Sequence, residues 1–250
     1  MGAAGAGIGS IGFSAKSYAS ILGANNRVNL AVIGIHGMGQ AHIQSYSKLK
    51  DVSVSALCDV DSNLFNERIK KHFTDKNLPK PKTFTDMRRL FEDKQVDAVS
   101  IVTPNHWHAL AAIWAIQAGK HVSVEKPCCY NFYEGQKLVE AAERYKVIVQ
   151  DGAEQRSNPC AQTMAAFLHA GKLGEVYMAK GLCYKWRDTI GKTPDEPVPA
   201  GVDYDLWLGP APKRPFSKNR LTPVLEKPFS LQLALELGLW QRGYGQPGRS

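Results

Sequence analysis

Three short stretches of this chain carry residue types whose spacing could do chemistry. Gly34-Ile35-His36-Gly37-Met38-Gly39 follows the apolar run Val28–Ile33. A glycine turn between a first strand and a helix cradles a dinucleotide pyrophosphate on backbone N–H groups. Asp59 closes a second apolar run, Val52–Cys58. A carboxylate there accepts hydrogen bonds from the adenosine ribose hydroxyls and repels a 2′-phosphate, so NAD is expected and NADP is the lesser choice. Glu125-Lys126-Pro127 ends a third such run, Val122–Val124. A lysine at the carboxyl end of a later parallel strand faces the same crevice, and the proline disfavours helical backbone at Lys126. A cationic nicotinamide nearby would favour the neutral amine, which suits acid–base work near neutral pH.

A fourth stretch, Thr103-Pro104-Asn105-His106-Trp107-His108, follows another apolar run and belongs on the crevice rim. Asn105 and His108 are expected to hydrogen-bond a ribose or a substrate there. His106 and His108 do not make a metal pair, because residues two apart do not share a helix face; no metal site is expected. Each stretch also has a plain reading: a tight strand-to-helix turn with no ligand, or a surface lysine at a strand end. The spacing of the glycines is G-x-x-G-x-G, with His36 where a second glycine usually stands.

The elements that must position these residues alternate along the chain. Strands are expected at Val28–Ile33, Val52–Cys58, Val96–Val102, Lys120–Val124 and Val147–Gln150. Helices are expected over Gln40–Lys48, from a Ser62 cap to Lys71, and over Thr85–Asp93, His106–Ala118 and Pro159–Ala170. Asn131 with Glu134 forms a capping box for a further helix reaching Tyr145. Lys76–Lys82, with two prolines, and Thr193–Gly201, with three, read as loops. Alternation at this spacing predicts a doubly wound parallel α/β sheet over 28–150, and Glu175–Tyr184 reads as a strand opening a second domain.

Bulk properties narrow the classes. The 250 residues are 44% hydrophobic and 22% charged, which is ordinary for a globular chain. The net charge of +8 is spread along the sequence with no basic arm or stripe, so nucleic acid is not an expected partner. The five cysteines include no C-x-x-C pair, and adjacent Cys128-Cys129 lack further ligands at metal spacing; buried or half-buried free thiols are expected. Residues 2–20 run from a weakly apolar Gly/Ala/Ile stretch into small residues, without a positive start. They read as an export-signal remnant or a disordered leader, too short and too glycine-rich to span a membrane.

Taken together, Gly34-x-x-Gly37-x-Gly39-x-x-His42, Asp59, Thr103-Pro104-Asn105-x-x-His108 and Glu125-Lys126-Pro127 resemble the Gfo/Idh/MocA family of NAD(P)-dependent oxidoreductases. Gln155-Arg156 and Trp207-Leu208-Gly209-Pro210-Ala211-Pro212 resemble its exported, twin-arginine-signal branch, although no twin arginine occurs in the leader. The resemblance implies a Rossmann domain followed by a C-terminal α/β domain whose open sheet covers the nicotinamide and often forms oligomer contacts. It implies NAD held by Gly34, Ile35, His36, Gly37, Met38, Gly39, Asp59, Thr103, Pro104, Asn105, His108, Glu125, Lys126 and Gln155. It also implies Lys126 as the catalytic residue, and Lys126 with Arg156 at a sugar, cyclitol or derivative. The alternatives are an NAD-dependent glycoside hydrolase of the same fold and a fragment that binds dinucleotide without turnover. The intact form would be periplasmic or exported, and cytoplasmic if the leader does not function.

The chain departs from that pattern after about Leu221. The expected stretch rich in Trp, His and Asn is absent, and so is the histidine partner of Lys126. In its place stands Ser230-Leu231-Gln232-Leu233-Ala234-Leu235-Glu236-Leu237-Gly238-Leu239. With leucine as CTN, codons exist for which a one-base shift reads this segment as His-Cys-Asn-Trp-His-Trp-Asn-Trp-Asp-Tyr. The same shift lets Leu239–Ser250 read on as Tyr-Gly-Asn-Gly-Asp. It also lets Thr222–Ser230 repeat the in-frame heptapeptide Arg214–Arg220. A short duplication that throws the tail out of frame is therefore expected. The resulting division is a leader at 1–26, a Rossmann domain at 27–150, an incomplete substrate and oligomerisation domain at 151–221, and an out-of-frame tail at 222–250. Turnover and oligomer formation, both of which need the missing sheet, are expected to be compromised.

Overall fold

The computed structural model describes residues 27–182 and 193–218 of the chain. The first strand, β1 (Val28–Ile33), is buried from Leu30 onward, because helices cover both faces of the sheet it belongs to. Its neighbours β2 (Val52–Cys58) and β4 (Ala98–Ile101), and β5 (His121–Val124) beyond β4, are apolar runs broken by serines and, in β5, by His121. With β3 (Lys82–Phe84) and β6 (Val149–Asp151) they form one parallel six-stranded sheet in the order β3-β2-β1-β4-β5-β6. Strand order reverses between β1 and β4, and a crevice opens above the carboxyl ends at such a reversal. The doubly wound fold expected from the alternation is the fold observed.

The connecting helices are α1 (Gly37–Tyr46), α2 (Leu64–His72), α3 (Met87–Phe91), α4 (His108–Gln117) and α5 (Phe132–Tyr145). One face of the sheet packs Leu30, Val32, Val54 and Leu57 against Ile43 of α1 and Ile69 of α2. The other packs Ala31, Ile33, Val99 and Ile101 against α3, α4 and Leu138 of α5. β2 feeds both faces by the alternation of its side chains, but Val54 and Leu57 share one face although three residues apart, because the register with β1 slips by one residue after Leu30: Leu30 pairs with Val54 and Ala31 with Ala56. Ser55 is the extra residue of this bulge. Its hydroxyl donates to the Leu30 carbonyl at 3.4 Å.

Several local expectations change. β3 lies at the end of the segment read as a loop; it is a three-residue edge strand of which only Phe84 is packed against the core. Ser62 does not cap α2. Its hydroxyl and its N–H both donate to the Gly201 carbonyl, each at 2.9 Å. The capping box of α5 is shifted by one residue: Asn131 accepts from the Glu134 N–H at 2.9 Å, while the Glu134 carboxylate accepts from Tyr130 N–H at 2.8 Å. Residues 175–182 form no strand, and the remainder of Glu175–Tyr184 lies outside the described residues. Cys160 is exposed rather than half-buried, Cys58, Cys128 and Cys129 are as expected, and Cys183 lies outside the described residues. The leader and the tail from 219 onward, with the frame-shift expectation, also lie outside them.

Beyond the sheet, α6 (Pro159–His169) buries no residue. Residues 198–217 behave differently and strap across the carboxyl end of the sheet. Asp203 N–H donates to the Val60 carbonyl at 2.9 Å, and Asp61 pairs with Val202 in an antiparallel bridge. A short helix, α7 (Tyr204–Leu208), is capped by Asp203 and packs Tyr204, Leu208 and Phe216 together. No helix among the described residues is long and apolar enough to cross a membrane.

Candidate active site

The glycine turn is built for a close approach. Gly34 has φ of +85°. A Cβ there would lie 2.6 Å from the Val102 carbonyl oxygen, and one at Gly39 would collide with the Gly34 carbonyl. A Cβ at Gly37 would meet no protein atom within 4 Å. Gly34 thus makes the turn, Gly39 lets α1 pack onto it, and Gly37 leaves its side open. α1 begins at Gly37 with no side-chain cap and no acidic residue in its first turn. Its first N–H groups therefore stay available to an anion.

The peptide unit of Ile35 is gripped from both sides. Its N–H donates to Asp59 Oδ2 at 2.8 Å, and its carbonyl accepts from Arg68 Nε at 3.1 Å. Asp59 Oδ1 accepts from the Asp61 N–H at 2.9 Å. Burial pushes the Asp59 carboxyl above the ordinary aspartate range, and the two N–H groups oppose that shift. Arg68 is buried on α2 and also pairs with Glu67 at 2.5 Å. Sequence reasoning missed it, because an arginine within Glu67-Arg68-Ile69-Lys70-Lys71 reads as solvated; the signal was its place four residues after Leu64, one turn along the packed face.

Strand register brings the other stretches to the same rim. Val102 N–H donates to the Ile33 carbonyl at 2.8 Å, and Glu125 N–H to the Ile101 carbonyl at 2.9 Å. Thr103 and Glu125 are therefore set beside the glycine turn by the sheet itself. The Thr103 hydroxyl is buried without a hydrogen-bond partner among the described residues. Pro104 precedes a single turn of 3-10 helix, Asn105–Trp107, in which Asn105 is buried. Lys126 is exposed at the end of β5, and its N–H donates to Glu125 Oε2 at 3.2 Å.

His108 is fully engaged with main chain. Its Nδ1 lies 2.7 Å from the Pro127 carbonyl and its Nε2 2.7 Å from the Thr103 carbonyl. It ties the loop after β4 to the loop after β5, and both ring nitrogens expected to meet a ribose or substrate are engaged by these carbonyls. Two carbonyl acceptors favour the doubly protonated ring, but burial is the larger influence and pushes the pKa below the ordinary histidine value.

His42, the last residue of the glycine motif, bridges β4 and the end of β5. Its Nδ1 lies 2.9 Å from Ser100 Oγ and its Nε2 3.0 Å from Glu125 Oε1. Ser100 is fully buried in β4. Gln155 lies in the turn Glu154–Ser157, but its side chain is outside the described residues; Arg156 is exposed in the same turn. These two stand after β6, while the other site residues gather on β1, β2, β4 and β5. A cleft of about 550 Å³ opens beside Val60, walled by Thr85, Val202 and Tyr204 of the sheet rim and strap.

Comparison with known proteins places this geometry. A family model described as an oxidoreductase family with an NAD-binding Rossmann fold matches residues 28–153. A second, described as the C-terminal alpha/beta domain of an oxidoreductase family, matches residues 166–226. A curated protein of Shewanella pealeana, named as a glycosyl hydrolase family 109 protein, is 34% identical over 121 residues, covering 47% of this chain and 26% of that one. The chain thus spans about a quarter of the length of the curated relatives it matches. A solved NAD binding oxidoreductase from Klebsiella pneumoniae is 33% identical with a TM-score of 0.51, over 60% of this chain and 40% of that chain. Scyllo-inositol dehydrogenase from Lactobacillus casei, solved with NAD(H) and scyllo-inositol, shares the fold at 20% identity and a TM-score of 0.54, over 60% and 43%.

Proposed function

The chain belongs to the Gfo/Idh/MocA family of oxidoreductases, and from that premise we propose that it binds NAD across residues 34–126 for hydride transfer at a hydroxyl-bearing carbon of a sugar, cyclitol or derivative. The observation that carries this is the join of an uncapped, glycine-opened α1 to a lysine at the end of β5 on one sheet rim. Gly34 to Gly39 receive the diphosphate, with Ile35, His36 and Met38 presenting main chain. Asp59 receives the adenosine ribose hydroxyls and disfavours a 2′-phosphate. Thr103, Pro104 and Asn105 flank the second ribose, and His108 and Glu125 hold the loops that carry them. Nicotinamide, when bound, supplies the hydride acceptor. Lys126 polarises or deprotonates the substrate hydroxyl, with Gln155 and Arg156 toward cofactor and substrate. Substrates named for inositol dehydrogenases of this fold support the class of substrate.

A second reading is favoured by the names of the curated relatives. In a glycoside hydrolase of this fold the sugar is oxidised transiently, elimination breaks the glycosidic bond, and the hydride returns. The two differ in redox balance. An oxidoreductase accumulates NADH in step with product; a glycosidase releases aglycone without net NADH.

The test is a titration of the purified chain with NADH, followed through nicotinamide fluorescence, and then assays with cyclitols and aryl glycosides. Saturable binding is expected, with NADPH binding more weakly. Absence of NADH binding overturns the reading. Binding without turnover on any substrate leaves the chain as a dinucleotide-binding fragment.

A further inference from the structure

The side chains of Ser100, His42 and Glu125 form a continuous chain of hydrogen bonds from β4, through α1, to the end of β5. Its proton pattern follows from the partners. A carboxylate only accepts, so His42 Nε2 carries the hydrogen toward Glu125 Oε1; in the neutral ring Nδ1 then accepts from the Ser100 hydroxyl, and in the doubly protonated ring it donates to it. Glu125 Oε2 in turn accepts from the Lys126 N–H at 3.2 Å. Tyr46, one turn further along α1, stands edge-on to the His42 ring with centroids 5.9 Å apart. Gly152 closes the other side, since a Cβ there would lie 3.2 Å from Glu125 Oε1. The Glu125 carboxylate is thereby confined between an imidazole, a main-chain N–H and a glycine.

We propose that His42 is a positioning residue for the nicotinamide half of the cleft: it holds the Glu125 carboxylate, and through it the Lys126 backbone, at a set place relative to the glycine turn. The inference rests on the cofactor reading above. His42 sits on the helix that opens toward the diphosphate, and Lys126 sits where the nicotinamide and substrate hydroxyl are expected. One imidazole therefore ties the two ends of the dinucleotide site together. It also occupies one Glu125 oxygen, leaving that carboxylate less free to fold onto the Lys126 amine as a surface ion pair. Neither the adenosine ribose carboxylate, Asp59, nor the Ile35 peptide it holds touches this chain of bonds.

That separation gives the test. Wild-type protein, His42→Ala and Ser100→Ala are each titrated with NADH and with ADP-ribose, which keeps the adenosine and diphosphate but lacks the nicotinamide ring. For His42→Ala the NADH affinity is expected to fall on the order of tenfold, while ADP-ribose changes by about twofold or less. Ser100→Ala, which removes one bond and leaves the ring in place, is expected to show the same split at roughly threefold for NADH. It serves if His42→Ala does not fold. Imidazole added to His42→Ala should recover part of the NADH affinity and of the bound-nicotinamide emission. Equal losses for NADH and ADP-ribose in both variants would show that His42 only supports α1, and would overturn the proposal. If the wild-type chain binds neither ligand, the cofactor reading fails and this inference with it.

Discussion

Two segments that follow the sheet fare in opposite ways. α6, Pro159–His169, is amphipathic enough to pack, yet Met164, Phe167 and Leu168 remain 57%, 47% and 39% exposed. The strap at 198–217 has a shorter helix, and its Tyr204, Leu208 and Phe216 are 7%, 4% and 5% exposed. What separates them is main-chain pairing to the sheet rim. The strap gives the Gly201 carbonyl to Ser62 and the Asp203 N–H to Val60. It also receives Trp107 Nε1 on the Leu206 and Trp207 carbonyls at 3.0 and 3.2 Å, and His106 Nε2 on Trp207 at 3.0 Å. Apolar side chains alone do not dock a segment; once backbone groups are paired, a few aromatic contacts suffice to hold it.

The largest effect expected follows from the proposal that the tail after about Leu221 is out of frame. A polypeptide continued after Arg220 in the second reading frame is predicted to gain turnover on a cyclitol or sugar and to slow amide exchange throughout Pro159–His169, with exchange in 198–217 unchanged. If exchange in α6 stays fast in that longer chain, the frame-shift expectation is wrong. Next in size is Trp107→Ala. Trp107 packs edge-on to Trp114 and donates two bonds to the strap. Its loss is expected to cost about 3–5 kcal/mol by denaturant unfolding and to open 198–217 to limited proteolysis.

A paired substitution sharpens the contrast. Leu208→Ala is expected to cost about 2–3 kcal/mol, and Phe167→Ser to stay within about 0.5 kcal/mol, in the same urea titration. Similar costs for both would mean that α6 is packed in solution. The smallest effect expected is a pH dependence. His72, His106 and His108 all have pKa values lowered by burial. The unfolded chain then binds protons that the folded one does not, so stability is full above about pH 6.5 and declines as pH falls below it. His106 touches Trp207, so Trp fluorescence should report strap release over that range, while residues in α6 report nothing.

Much of this fold was legible because a sheet covered on both faces writes itself as apolar runs. Val28–Ile33 and Val52–Cys58 have the bounds that sequence alone predicts. β3 was not legible, since an edge strand with one packed residue carries no alternation. The site was legible in part. Glycines, Asp59 and Lys126 occupy strand ends, and strand ends are readable. Residues that act on other residues were not: Arg68 and His42 lie mid-helix, where a polar side chain looks solvated until tertiary contacts show what it holds. The strap escaped for a related reason, because Ser62 and Gly201 are 139 residues apart and nothing local in either announces the other.

That separation has a consequence for the order of assembly. The strap's two landing places, Val60–Asn63 and His106–Trp107, belong to segments after β2 and β4, and β1 lies between those strands. They form one surface only after the sheet has closed around β1. Loop closure grows as the logarithm of length, so a loop of 139 residues costs only about 0.3 kcal/mol more than the 101 residues between His106 and Trp207. Chain length therefore does not delay the strap; the absence of its platform does. Trp207 should come to rest late, after the β-sheet signal is complete, which makes its emission a clock for the last step of folding.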